Sequence, residues 1–179
     1  AMGSNALRIN TGANNTAIGT LAGDEHGSGA NNTYVGFEAG RYNTGATNNN
    51  AFFGHQAGHY STGSFNTAIG SNTLKFNAAS ANNVAVGYNA LTQNGSTNNT
   101  AVGFGTLSTN NGTGNVAIGY NAGAAETGSN KLYIDNSNAN AVNALIYGEF
   151  DTNTLRTNST FQIGNPAGTG YVFPVARGT

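Results

Sequence analysis

Along most of the chain one short pattern keeps returning: an asparagine, then apolar and small residues in alternation, then a glycine. Asn15-Thr16-Ala17-Ile18-Gly19 comes back as Asn32-Thr33-Tyr34-Val35-Gly36, Asn50-Ala51-Phe52-Phe53-Gly54 and Asn66-Thr67-Ala68-Ile69-Gly70. It then runs on as Asn83-Val84-Ala85-Val86-Gly87, Asn99-Thr100-Ala101-Val102-Gly103 and Asn115-Val116-Ala117-Ile118-Gly119. The glycines are 17, 18, 16, 17, 16 and 16 residues apart. A fixed period of this kind marks a repeat architecture and takes precedence over any residue-level reading.

Each unit carries a period-2 alternation, which is a strand signal. The residue before the glycine is Ile, Val or Phe in every copy, and such side chains suit a pleated, half-buried surface. The alternation predicts an Ile/Val ladder on the inside. The opposite face is mostly Ala and ends in the constant Gly, small enough for another backbone to approach. Polar turns such as Ala46-Thr47-Asn48-Asn49 and Gly95-Ser96-Thr97-Asn98 separate the copies. A unit this short has no room for a helix, a strand and two turns. It fits two short strands and two turns, one coil of a parallel β-solenoid. Seven coils stacked at about 4.8 Å each give a rod roughly 34 Å long. Equivalent asparagines then form columns, hydrogen-bonded along their row and tolerant of left-handed turns.

One coil has only two or three apolar residues in cross-section and is unstable alone. Burying the Ala/Gly face against two other copies would remedy this, so the expected assembly is a side-by-side homotrimer. On that expectation Val at Gly70 or Gly103 breaks assembly more than it disturbs the strands.

Composition narrows the function. Asn, Gly, Ala and Thr supply 106 of the 179 residues, and only 7% are charged, against about 25% in an average soluble domain. Low charge argues against ordinary disorder. The net charge of -1 leaves no electrostatic footprint for nucleic acid. No apolar run approaches the ~18 residues of a spanning helix, so no direct membrane insertion is expected. Without cysteine there is no disulfide or thiolate site, and the redox compartment stays open.

The repeated unit resembles the head repeat of trimeric autotransporter adhesins, the YadA-like left-handed parallel β-roll. It also resembles repeats of bacterial and phage tail-fibre proteins that carry a C-terminal endosialidase-type intramolecular chaperone. The resemblance covers about residues 14–123 and leans to the tail-fibre group, because the coils are longer and less regular than in the adhesins. Asn130-Lys131-Leu132-Tyr133-Ile134-Asp135-Asn136, Leu145-Ile146-Tyr147-Gly148-Glu149-Phe150-Asp151 and Tyr171-Val172-Phe173-Pro174-Val175-Ala176-Arg177-Gly178-Thr179 resemble the segments that succeed the repeats in those proteins. The resemblance implies a trimeric head or shaft module for adhesion, with strands interleaved between chains after the repeats. It implies an extracellular place, on a cell surface or at a phage-like tail tip, and a chaperone outside these residues.

The expected organisation is a tag remnant at 1–4, a β-roll at 5–128, a β-rich cap or neck at 129–166 and the start of a stalk at 167–179. The ending at Arg177-Gly178-Thr179 reads as a cut from a longer protein. Composition shifts near residue 124: six of the thirteen charged residues fall in 126–156 and the repeat spacing is lost after Gly119. Strands are expected at 131–135, 144–150, 154–157 and 160–163. Tyr133, Ile134, Leu145, Ile146, Phe150, Leu155, Phe161 and Ile163 are placed to close the end of the rod.

Chemistry-bearing residues are sparse. Asp24, Glu25 and His26 are consecutive, so their side chains diverge where acid–base work or a metal needs convergence; a solvated loop is the competing reading. His55 and His59 are spaced i, i+4, which would share a metal on a helix, but no helix is expected there. His55 is the better metal candidate, and no metal or other cofactor is assigned. Three aspartates out of register exclude repeat-bound calcium. Gly112-Thr113-Gly114 is a turn, with neither a helix after it nor a basic residue. Sequons at Asn14, Asn31, Asn94, Asn98 and Asn158 read as turn residues in a bacterial fibre. After each repeat glycine come Thr20, Phe37, His55, Ser71, Tyr88, Phe104 and Tyr120, with Glu38, Arg41, Tyr42, His59 and Tyr60 near by. Outward-facing rings there would stack on sugars; rings covering the core or packing between chains are the alternative. The longer turns at 24–31, 41–49 and 59–65 are the favoured binding loops.

Three functions compete. The first is a trimeric adhesive module for a cell-surface glycan or protein, gaining avidity from three copies. The second is an ice-binding solenoid: Thr16, Thr33, Thr67 and Thr100 are in register, but Ala51, Val84 and Val116 break the row. The third, a polysaccharide-degrading enzyme, needs paired acids that the repeats lack, so the chain is expected not to be an enzyme.

Overall fold

The structure is a computed structural model and describes residues 1–138 and 140–158. The described residues form no helix. Ten short strands make one sheet in chain order: β1 (Thr16–Ile18), β2 (Thr33–Val35), β3 (Ala51–Phe53), β4 (Thr67–Ile69), β5 (Val84–Val86), β6 (Thr100–Val102), β7 (Val116–Ile118), β8 (Lys131–Ile134), β9 (Ile146–Glu149) and β10 (Thr154–Thr157). From β1 to β8 every pairing is parallel and in strict register, as in Ala17↔Tyr34 and Ala101↔Ala117. This is the β-solenoid the period predicts.

The ladder extends beyond the recognised repeats at both ends. Met2 bridges Ile18, and Gly3 has the same extended positive φ as Gly19. Residues 1–4, which the sequence sets apart, therefore sit in the coil stack. At the other end Leu132-Tyr133-Ile134 pairs with Val116-Ala117-Ile118, and Asp135 stands where the next glycine would be. The repeat spacing is not lost after Gly119, and a boundary at 128 falls within a coil. After β8 the chain reverses: β9 pairs antiparallel with β8, and β10 with β9. Expected strands at 131–135, 144–150 and 154–157 are present. Those at 160–163, with Phe161, Ile163 and the segment 167–179, lie outside the described residues. Tyr133 is buried, while Leu145, Phe150 and Leu155 are exposed.

The inside-out assignment of the strands is reversed relative to the sequence expectation. The middle residue of each strand, Ala17, Tyr34, Phe52, Ala68, Ala85, Ala101 or Ala117, is wholly buried. Ile18, Phe53, Ile69, Val102 and Ile118 are exposed. The coil is too narrow for an Ile/Val ladder, because across it the third and fourth residues after each glycine point inward too. Those are Ala39, Ala57, Thr73 or Ala90, and then Gly40, Gly58, Leu74 or Leu91. The alanine face is thus the interior of a single chain and is closed to a partner.

The repeat glycines have an equally local cause. Each of Gly19, Gly36, Gly54, Gly70, Gly87 and Gly103 has φ between 126° and 140°. A Cβ on any of them would lie 2.2–2.5 Å from the carbonyl oxygen of the next glycine in the column. They permit coil-on-coil stacking within the chain, so the expected damage from Val at Gly70 or Gly103 falls on the stack itself rather than on assembly.

Asparagine serves the same stacking. Asn32, Asn50, Asn66, Asn83, Asn99 and Asn115 are buried, and the Oδ1 of each accepts the backbone N–H of the next column residue at 2.8–3.0 Å. The Nδ2 groups of Asn50, Asn66, Asn83 and Asn115 donate to turn carbonyls of Gly63, Ser80, Ser96 and Gly128. Ahead of the column asparagine stands a left-handed residue, as at Asn14, Asn31, Asn49, Asn82 and Asn98, a conformation asparagine tolerates well.

Candidate binding surface

Two outward strips are left once the interior is filled. The first lies beside the strands: Ile18, Phe53, Ile69, Val102 and Ile118 before the glycine, and Phe37, Tyr88, Phe104 and Tyr120 after it, all exposed. The rings stack on one another along the rod. Tyr88–Phe104 and Phe104–Tyr120 have centroids 5.2 and 5.3 Å apart at 19° and 15°, and Phe37 stacks on His55 at 5.4 Å. Among the described residues of this strip only Phe104 has a ring on both faces; Phe37, His55, Tyr88 and Tyr120 each stand at the end of a stack.

The second strip lies beyond the turn and gathers Glu38, Arg41, Tyr42, His59 and Tyr60. Arg8 holds Asp24 through Nε at 2.7 Å and Nη2 at 3.3 Å, and Arg41 Nε lies 3.8 Å from the same carboxylate. Arg41 Nη1 also donates to Glu38 Oε1 at 2.5 Å. Gln56 Nε2 donates to Glu38 Oε2 at 2.6 Å, and His59 Nε2 lies 3.2 Å from that oxygen. Burial favours protonation of Glu38, but Gln56, His59 and Arg41 outweigh it and hold the carboxyl below its usual range. Burial pushes the His59 imidazole down. His59 packs edge-on to Tyr42 and Tyr60, centroids 5.1 and 4.4 Å away, and Tyr42, Tyr60 and Phe76 stack at 4.9 and 5.6 Å.

Five of the six residues singled out for ligand binding thus meet in one place; Phe37 belongs to the other strip. His55 is exposed in the first strip and His59 buried in the second, so the i, i+4 pair is split across a turn. Among the described residues no cluster of three His, Cys, Asp or Glu could hold a metal. The solvated-loop reading of 24–26 also gives way. Asp24 is buried beneath its arginines, and His26 is fully buried. His26 Nε2 lies 3.0 Å from the Gly29 carbonyl and 3.1 Å from Asn32 Nδ2, and Nδ1 lies 3.0 Å from the Tyr34 hydroxyl. Desolvation pushes this imidazole down as well. Asp24 and Arg8 escaped sequence reasoning as partners; their 16-residue separation, one coil, is the signal that would have paired them.

No family model, curated protein or solved structure matches the chain.

Proposed function

We propose that the chain is a rigid segment of a trimeric fibre, a head or shaft module for adhesion to a glycan or protein receptor at a cell surface. On this reading it works outside the cell, on a bacterial surface or at a phage-like tail tip, and has no catalytic role.

The observation that carries the proposal is the exposed apolar strip beside the strands. It has no charged residue from Ile18 to Tyr120, and contiguous apolar surface of that kind marks an interaction site. Its ladder repeats with every coil, and a second copy of the same rod offers a surface of the same period. Three copies packed along these strips, rather than along the alanine face, bury the Ile, Val and Phe ladder. A threonine row at Thr16, Thr33, Thr67 and Thr100 adjoins it, but Ala51, Val84 and Val116 interrupt the row, which disfavours the ice-binding alternative.

Light scattering on the purified protein tests the assembly. With 18.1 kDa per chain, the expected mass is about 54 kDa, and Val102→Lys should bring it to the single-chain value by placing a charge in the strip. A single-chain mass for the unaltered protein overturns the fibre reading.

A further inference from the structure

All six Asp, Glu, Lys and Arg residues of positions 1–125 lie in the second strip: Arg8, Asp24, Glu25, Glu38, Arg41 and Lys75. Their order along the rod is set by the coil register. Ile9 N–H donates to Asp24 O, Glu25 N–H to Arg41 O, Tyr42 N–H to His59 O and Tyr60 N–H to Lys75 O. Arg8, Asp24, Arg41, His59 and Lys75 are therefore equivalent positions on five successive coils, with a cation on every second one.

Depth sorts the charges. The side chains of Asp24 and Glu38 are only 2% and 10% exposed, while Arg8 and Arg41 are 47% and 23% exposed. The carboxylates lie beneath and fix the guanidinium heads, which reach solvent. Arg41 lies over the Tyr42 ring and Lys75 over the Phe76 ring, 4.7 and 5.4 Å from the centroids. Lys75 has no carboxylate partner among the described residues. Glu25 is the one anion of the strip that is more than a third exposed.

We propose that this strip binds an extended acidic polysaccharide lying along the rod, one anionic group on every second sugar, against Arg8, Arg41 and Lys75. The backbone positions that carry these cations are two coils apart, about 10 Å at ~4.8 Å per coil, which is the length of a disaccharide unit in an extended chain. The edges and hydroxyls of Tyr42 and Tyr60 meet the intervening sugar. A nucleic-acid backbone carries its charges more closely than this. The site rests on the adhesion reading and names the ligand class for it.

The test is calorimetric titration with a hexasaccharide of alternating glucuronate and N-acetylglucosamine, against the neutral N-acetylglucosamine hexamer. The acidic chain should bind, more weakly as salt rises, and the neutral one should not. Lys75→Ala should weaken binding by roughly fivefold or more, and Lys75→Arg should restore it, with unchanged circular dichroism throughout. No binding of the acidic chain, equal binding of the neutral one, or a Lys75→Ala variant that binds as before overturns the site. Mass measured on the same samples separates the two claims: a trimer that does not bind removes the site alone, and a single-chain mass removes the fibre reading.

Discussion

The coils of β2 and β3 and the coils of β4 to β6 fill the same interior in opposite ways. In the first group the strand supplies the bulk, Tyr34 or Phe52, and the fourth residue after the glycine is Gly40 or Gly58. In the second the strand supplies Ala68, Ala85 or Ala101 and the far side supplies Leu74, Leu91 or Leu107, all fully buried. A Cβ on Gly40 would meet Tyr34 Cδ1 at 2.5 Å, and one on Gly58 would meet Phe52 Cε2 at 2.2 Å. Bulk on one side is matched by its absence on the other, as close packing requires. The leucines keep the left-handed backbone of the glycines they replace, φ 46–49°, so their packing offsets a conformational cost.

The largest effect should come from forcing both kinds of bulk into one coil. Gly58→Leu is expected to destabilise by at least about 4 kcal/mol, since neither ring nor backbone can yield. Phe52→Ala should cost about 3–5 kcal/mol through the cavity it leaves. The double variant reproduces the Ala–Leu pairing of β4 to β6 and should recover most of the loss. Denaturation of the two single variants and the double variant closes the cycle; purely additive losses would dissolve the comparison.

A smaller effect sharpens it by touching what the two groups share. Asn50→Ala and Asn83→Ala each remove an acceptor for the next coil and a donor to a turn, at about 1–3 kcal/mol. The two costs should be alike, because the asparagine column runs unchanged through both groups. Unequal denaturation midpoints for the two variants would mean the column is not one device.

The smallest effect is acid sensitivity, and it should be regional. His26 and His59 belong to the first coils, while residues 83–125 contain no Asp, Glu, His, Lys or Arg. Both imidazoles are pushed below their ordinary value by burial, so the unfolded chain binds protons that the folded chain does not. Stability from this source is present above about pH 6.5 and declines as pH falls below it. Hydrogen exchange at pH 5 against pH 7 should speed up in the coils of β2 and β3 and stay even in those of β5 and β6, once intrinsic rates are corrected. Uniform acceleration would contradict the assignment.

Much of this was legible in the sequence. The glycine spacing set coil length, strand position and register, and the asparagines marked the turns. Which face of each strand turns inward was not legible from alternation, because period 2 defines two faces without choosing between them. The habit of placing the larger apolar residue inside fails in a coil this thin. The signal that decides it is reciprocal: Tyr34 with Gly40, Phe52 with Gly58, Ala68 with Leu74, Ala85 with Leu91, Ala101 with Leu107. Size varies inversely only between residues that share a space, and Ile69 or Val102 show no such partner. The charged strip was legible in part. Arg41 and Glu38 are near in sequence, whereas Arg8 with Asp24 and His59 with Glu38 meet only when residues are aligned by coil. That His26 would be buried was not legible, since nothing in the sequence said its loop folds under Tyr34.

Because the chain has no cysteine, single thiols can report which face meets another chain. Ala101→Cys and Val102→Cys should both fold, and mild oxidation of each, then non-reducing electrophoresis, is the most direct test. The account predicts chain-linked species from Val102→Cys and none from Ala101→Cys, whose thiol lies inside its own coil. Cross-linking through Ala101→Cys, with Val102→Cys left single, would put the alanine face between chains and contradict it.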